Sequence, residues 1–565
     1  MSDAVDVAFQ SAGALLAAYR ARSLSPVEVV ETLLARLDVY DPTYRSHVTV
    51  CADEALDAAR DAERRFARGV DADAPLLGVP VSHKDNLWTR GVRTGVHSRT
   101  SFAHVPERDA TAVDRLRAAG AILLGKTNTT EFACGDMLEH GDTPNPWDAQ
   151  LYSGASSAGS ASAVAAGLTT LATGSDTGGS IRAPAALCGI VGVKPTYGRV
   201  SRFGLVPLSW SMDHVGPMTR TVADAARMLE VMAGADPADA TSRASRVPSY
   251  VAALREDLRG VRIGIVDEHY GAGLEDAVEH AFIEAVASFR SLGAEVVAVR
   301  IPSAGRVAPA GNLLSMWEAF ALHAATLRSE GRRYGPKARA HIASGAFHSG
   351  ADVALALQLR TRFAAEASAA LGEVDAIVTP TLPFTAVTRD AWVDAAPDTS
   401  WGTRQWNLTG HPALTVPCGF DAEGRPIGLQ VVARHFDEAT MFAVAHAFEQ
   451  ATPWHRCRPE LVTERPPLAI DAMLPSVARG AVVTEVRDEA RRQALPLDEA
   501  DLARVSRIVT GVRDALADLR LQSTIDAEPA LRFDAPAPAR EAEAHASAVP
   551  ERAVADDERV REGDR

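Results

Sequence analysis

An α/β layer fold is what this sequence predicts, and two observations predict it. Short apolar runs of strand length alternate with amphipathic stretches of helix length. Hydrophobic residues make up 47% of the 565 residues and charged residues 23%, the balance of an ordinary soluble globular chain. Such a length suits one large domain with an appendage, or two or three domains.

The elements follow in order. Ser25-Pro26-Val27-Glu28 is a capping box with proline at the first helical position, and Val29, Val30, Leu33, Leu34 and Leu37 recur at helical spacing behind it. The apolar run Leu76 to Val81 suits a strand that opens into Ser82-His83-Lys84-Asp85-Asn86. Residues 110–119 suit a helix and 121–125 a short buried strand. Residues 160–167 form a helix candidate of small side chains, and 220–233 another. Residues 260–266, 294–301 and 376–380 read as strands, with a long helix over 274–292. After about Pro459 the character changes. Residues 480–521 hold only two glycines, Gly480 and Gly511, and resemble a helical hairpin, whose second arm places Leu502, Val505, Ile508, Val509, Val512, Leu516 and Leu519 on one face. Beyond Phe533 the chain is Ala, Pro, Glu, Asp and Arg with almost no large apolar residue, the composition of disorder. The division expected is 1–465 as the main domain, 480–535 as a helical extension and 536–565 as an acidic, Ala/Pro-rich disordered tail.

A formal net charge of −15 argues against a broad nucleic-acid surface, which needs clustered Lys and Arg. The five cysteines form no CxxC and no secreted framework; Cys134, Cys188 and Cys418 sit in small or apolar surroundings and read as inert buried thiols. No secretory signal is visible at the N-terminus, and no uncharged apolar stretch approaches the ~20 residues of a membrane span. A cytoplasmic protein is expected, with no nucleic-acid and no membrane partner.

Residues 153–196 suit no ordinary packed core. Gly, Ala, Ser and Thr dominate them, so backbone can turn tightly and approach a ligand closely. Ser180 ends Thr177-Gly178-Gly179, where consecutive N–H groups can converge as an oxyanion hole requires. A hydroxyl nucleophile needs a base, and no histidine stands in a comparable glycine-rich setting. Lys84 follows an apolar run, and a lysine desolvated at such a strand end can be a neutral base near pH 7. Against this, most lysines are solvated surface charges, and serines in small-residue runs usually cap helices or fill turns. On spacing alone both readings stand.

Gly154-Ala155-Ser156-Ser157-Ala158-Gly159-Ser160 followed by Asp176-Thr177-Gly178-Gly179-Ser180-Ile181-Arg182 closely resembles the amidase signature family. So does Lys84 within Gly78-Val79-Pro80-Val81-Ser82-His83-Lys84-Asp85-Asn86, and the two serines stand 24 residues apart as in that family. The resemblance continues through Gly125-Lys126-Thr127-Asn128, Gly192 to Thr196, Leu208 to Pro217 and Asn407 to Pro412, covering roughly residues 10 to 460. It implies an α/β/α sandwich around a mixed central sheet, and a hydrolase of linear amide C–N bonds working through an acyl-serine; no metal or organic cofactor is expected, since no Cys/His ligand spacing suggests zinc. It implies Ser180 as nucleophile, Ser156 as proton relay, Lys84 as terminal base and the N–H groups of Thr177, Gly178, Gly179 and Ser180 as oxyanion hole. Asp176 and Arg182 organise the loop, and the peptide bond before Ser156 is cis. Ala155 and Ala158 stand where the family usually has glycine.

Specificity is less legible. Glutaminase members of the family, which feed ammonia to tRNA amidation, tend to carry an acidic residue shortly before the Asn-Leu-x-Gly motif. Here Ser400-Trp401-Gly402-Thr403-Arg404-Gln405-Trp406 offers a base and two indoles, which favours an aromatic or anionic substrate unless this is a rim loop without substrate contact. The extension faintly resembles the small helical subunits of amidotransferases and of carboxybiuret hydrolase, as a fused clasp or a plain helical addition. The expectation is an amidohydrolase of a small-molecule amide, as a homodimer. The alternatives are a glutamine-hydrolysing subunit of an amidotransferase complex, and a catalytically silent scaffold, against which the intact Lys84, Ser156 and Ser180 speak.

Overall fold

The computed structural model describes residues 7–69, 74–135, 137, 139–266, 273–391, 400–464 and 482–523. One compact unit runs through Leu519. Of the second, residues 520–565, only 520–523 at the end of the helix Glu499–Ser523 are described, so the expected tail over 536–565 lies outside the described residues.

Among the described residues eleven strands form one sheet in the order β1-β3-β2-β6-β8-β7-β12-β13-β11-β9-β10, and β4 pairs with β5 separately. The strands are β1 (His47–Val50), β2 (Pro80–Lys84), β3 (Ile122–Thr127), β4 (Pro144–Asn145), β5 (Asp148–Tyr152), β6 (Leu171–Asp176), β7 (Val191–Lys194) and β8 (His214–Thr219). They continue with β9 (Arg262–Val266), β10 (Glu295–Val299), β11 (Ala376–Pro380), β12 (Ala413–Phe420) and β13 (Pro426–Ala433). The sheet is mixed: β3, β2 and β6 are parallel neighbours, β6 to β13 alternate direction, and β11, β9 and β10 are parallel again.

Helices cover both faces, which makes an α/β/α sandwich. Side chains of a strand alternate between faces, and here Val378 and Val431 join one apolar cluster while Ile377 and Val432 join another. The first cluster takes in Leu33, Leu116, Leu229, Phe289 and Phe442 from five helices. The second takes in Leu313, Phe363 and Trp406.

Local chemistry accounts for the elements. Ser25 accepts from the N–H groups of Val27 and Glu28 and closes a reciprocal capping box on the helix Pro26–Tyr44. The candidate helices at 110–119, 160–167, 220–233 and 274–292 appear as Thr111–Ala118, Ala158–Ala165, Val222–Met232 and Asp276–Ser291. The strand expected from Leu76 starts only at Pro80, because residues 75–78 turn, with Gly78 at φ 78°.

The helices Val482–Arg492 and Glu499–Ser523 follow. Leu502, Val505 and Val509 are buried beside Tyr334, Ala338 and Ile342, Val512 and Leu516 join the second cluster, and Ile508 is partly buried against it. The Leu519 side chain lies outside those described. Asp501 accepts an ion pair from Arg339 Nε at 2.8 Å. Among the described residues no helix is long and apolar enough to cross a membrane. Cys188 and Cys418 are buried and Cys134 half-buried; burial pushes the Cys418 thiol up to about 12.

Candidate active site

Lys84 ends β2, and β6 runs parallel beside it, so the strand ends deliver Lys84, Ser175 and Asp176 to one place. Lys84 Nζ lies 2.6 Å from Ser156 Oγ and 2.9 Å from Ser175 Oγ. Ser175 Oγ also accepts from Asn86 Nδ2 at 2.9 Å. Lys84 and Ser156 are wholly buried. Burial disfavours the ammonium and brings the Lys84 pKa down to about 7, although the Asp176 and Asp213 carboxylates act to raise it. A neutral amine has two hydrogens and one lone pair. One N–H satisfies Ser175, which leaves the lone pair able to accept the Ser156 proton.

Ser180 sits on the loop between β6 and the helix Arg182–Cys188. Its carbonyl accepts from Ser157 N–H at 3.2 Å, so the two serine-bearing loops are tied by main chain. Among the described residues no hydrogen bond joins the Ser156 and Ser180 hydroxyls directly. The Ala155–Ser156 peptide bond is cis, and Gly179 holds φ at 125°, a conformation that suits only a residue without Cβ.

Asp176 and Arg182 form the frame of that loop. Arg182 donates from Nε to Asp176 Oδ2 at 3.0 Å and from a terminal nitrogen to Oδ1 at 2.9 Å. Its remaining donors reach Gln430 Oε1 at 2.7 Å, Asn407 Oδ1 at 2.8 Å and Thr403 O at 2.9 Å. All four side chains of Asp176, Arg182, Asn407 and Gln430 are buried. Burial acts to raise the Asp176 pKa, but the Arg182 charge and bonds, with Asn407, hold it well below the usual carboxylate range. One expected oxyanion donor is otherwise engaged: the Gly179 N–H donates to Asp176 Oδ1 at 2.8 Å. Thr177 Oγ1 donates to Asp213 Oδ1 at 2.5 Å and Thr403 Oγ1 to Gly178 O at 2.7 Å, fixing the loop from both sides. Burial pushes the Asp213 carboxyl up to about 6 against its hydrogen bonds.

Ser175, Asn86, Asp213 and Gln430 were not singled out from the sequence. A signal for Ser175 existed: Thr173 and Ser175 alternate along β6 and share one side, and Thr173 Oγ1 accepts from Lys84 N–H at 3.1 Å. Gln430 sits in an apolar strand 248 residues from its partner Arg182, a pairing that no local pattern reveals.

The model of the family described as Amidase matches residues 28–442. This chain belongs to the amidase signature family. Among its relatives, a glutamyl-tRNA(Gln) amidotransferase subunit of Roseiflexus sp. (strain RS-1) is 42% identical over 470 residues, spanning 78% of this amidase and 96% of that relative. A solved complex described as vestigial and as revealing the evolutionary origins of an s-triazine catabolic enzyme has TM-score 0.74 at 30% identity, covering 78% of this chain and 98% of that one. The native peptide amidase of Stenotrophomonas maltophilia has TM-score 0.68 at 31% identity, covering 80% and 98%. Like the family, this amidase is a hydrolase of amide bonds.

The relatives overturn one expectation. From a net charge of −15 no nucleic-acid partner is expected, yet the Roseiflexus relative is by name part of a tRNA amidotransferase. Net charge sums over the whole surface, so it does not settle whether a chain serves an assembly that handles RNA.

Proposed function

We propose that this amidase cleaves its amide with Ser180 as nucleophile, and that it is the glutamine-hydrolysing subunit of an amidotransferase. Ser180 Oγ attacks the carbonyl carbon while its proton passes to Ser156, whose own proton goes to the neutral Lys84 amine. The tetrahedral oxyanion is held by main-chain N–H groups of the 177–180 loop. Since Asp176 takes the Gly179 N–H, those of Thr177, Gly178 and Ser180 carry that role. The C–N bond then breaks, Lys84 returns a proton through Ser156 to the leaving nitrogen, and water repeats the cycle on the acyl-enzyme. The 2.6 Å contact between Lys84 Nζ and Ser156 Oγ is the observation that carries this mechanism. The amidotransferase role rests on 42% identity over 96% of the Roseiflexus relative. In this reading residues 1–465 are the catalytic body and 480–535 a fused extension whose described helices, through residue 519, clasp that body.

A second reading, hydrolysis of another small amide by the chain alone, is favoured by Arg404, since residues 400–406 carry no acidic side chain to pair the glutamine ammonium. Ammonia release from glutamine separates the two. It is measured for the full chain alone and with the other subunits of a relative's amidotransferase. Release stimulated by those subunits is expected. No release in either setting, beside turnover of a simple amide, selects the second reading.

A further inference from the structure

Two glycines on separate elements make room for one arginine. A Cβ on Gly178 would stand 2.5 Å from Arg404 Cζ and 2.6 and 2.8 Å from its terminal nitrogens. A Cβ on Gly311, in the helix Ala308–Glu330, would stand 2.7 Å from Arg404 Cδ and 3.0 Å from Cγ. The stem is therefore wedged against one helix while the guanidinium lies on the catalytic loop, two residues before Ser180. Successive Cα atoms are about 3.8 Å apart, so Gly178 and Ser180 are within roughly 7.6 Å. Half-buried His341 stands close enough to feel the Arg404 charge. Burial, with the Arg404 and Lys337 charges, brings its imidazole down to about 4 and keeps it neutral.

A guanidinium offers five donors in a rigid fork that matches a carboxylate. Resting on the reading of Ser180 as nucleophile, we propose that Arg404 and the surface around it form a carboxylate subsite. The substrate is then the terminal amide of a short dicarboxylic acid, its free carboxylate a few bonds from the scissile carbonyl. Arg404 sets the preference for anionic over neutral amides.

Two amides of equal length test this: glutaramate, which carries the carboxylate, and neutral pentanamide. The full chain is expected to prefer glutaramate in kcat/KM, and Arg404→Gln to reduce that preference about 10- to 100-fold, the weight of a charged hydrogen-bonded contact. Arg404→Lys should recover part of it. Gly311→Ala, which displaces the arginine stem within a helix that tolerates alanine, should raise KM for glutaramate with little change in kcat. An unaltered preference in both Arg404→Gln and Gly311→Ala overturns the subsite. Binding of glutarate to the Ser180→Ala chain, by calorimetry, reads the subsite without turnover. If the wild-type chain cleaves neither amide, glutarate binding that is lost on adding Arg404→Gln upholds the subsite and counts against the nucleophile alone. Equal glutarate binding with and without Arg404 overturns the subsite.

Discussion

Residues 153–196 and residues 482–523 are held to the molecule by opposite means. The first segment carries few large apolar side chains. It is fixed by buried polar contacts, in which Asp176 alone accepts from Arg182, Asn407 and the Gly179 N–H. The second is an amphipathic pair of helices whose Leu502, Val505, Val509, Val512 and Leu516 are buried against the body, with Asp498 and Asp501 both paired to Arg339. Charge and hydrogen bonding hold a catalytic loop to fixed angles, because each bond has a direction. Apolar burial holds a helix with far less angular demand. Substitutions in the two segments should therefore separate stability from catalysis.

The largest effect is expected at Lys84. Lys84→Ala removes the proposed terminal proton acceptor, and turnover should fall about 10²- to 10⁴-fold with little change in circular dichroism. Wild-type rates in that variant would refute the proposed base. Next comes Arg182→Met, which leaves the Asp176 carboxylate buried without its partner. Urea unfolding should register a loss of about 3–5 kcal/mol, and turnover should fall with it. In the helical pair, Leu516→Ala should cost about 2–5 kcal/mol of stability while kcat stays near wild type. A collapse of kcat at full folding would join the two regions into one functional unit and break the comparison.

Much of the fold was legible where period and punctuation agree. The capping box at Ser25, the apolar pulses at Ile122 and Ala376 and the apolar face from Leu502 each name their element. The helices Ala308–Glu330 and Gly350–Glu373 were missed, since their apolar residues spread around the helix rather than along a stripe. Strands β7 and β8 were missed because Gly192, Lys194, His214 and Pro217 are poor strand residues, kept there by the closeness of backbone at the site. A Cβ on Gly216 would come 1.9 Å from the Val193 carbonyl oxygen. In the site, motifs carried Lys84, Ser156 and Ser180. Their supports come from far along the chain: Gln430 and Asn407 reach Arg182 across 248 and 225 residues.

The smallest effect is in the pH profile. Only the neutral Lys84 amine accepts a proton, and its pKa is brought down to about 7 by burial. Activity should thus rise with pH through about 7 and level above it, falling about tenfold per unit on the acid side. Ser175→Ala sharpens this test. Loss of a hydroxyl that accepts from Lys84 Nζ at 2.9 Å disfavours the ammonium further, so the midpoint should move to lower pH.

Trapping the nucleophile tests the account most directly. The full chain is treated with a fluorophosphonate, digested, and the modified peptide located by mass spectrometry. The adduct is expected on Ser180, and in Lys84→Ala it should form far more slowly. An adduct on Ser156 or on any other side chain, with Ser180 unmodified, would contradict the Ser180–Ser156–Lys84 assignment.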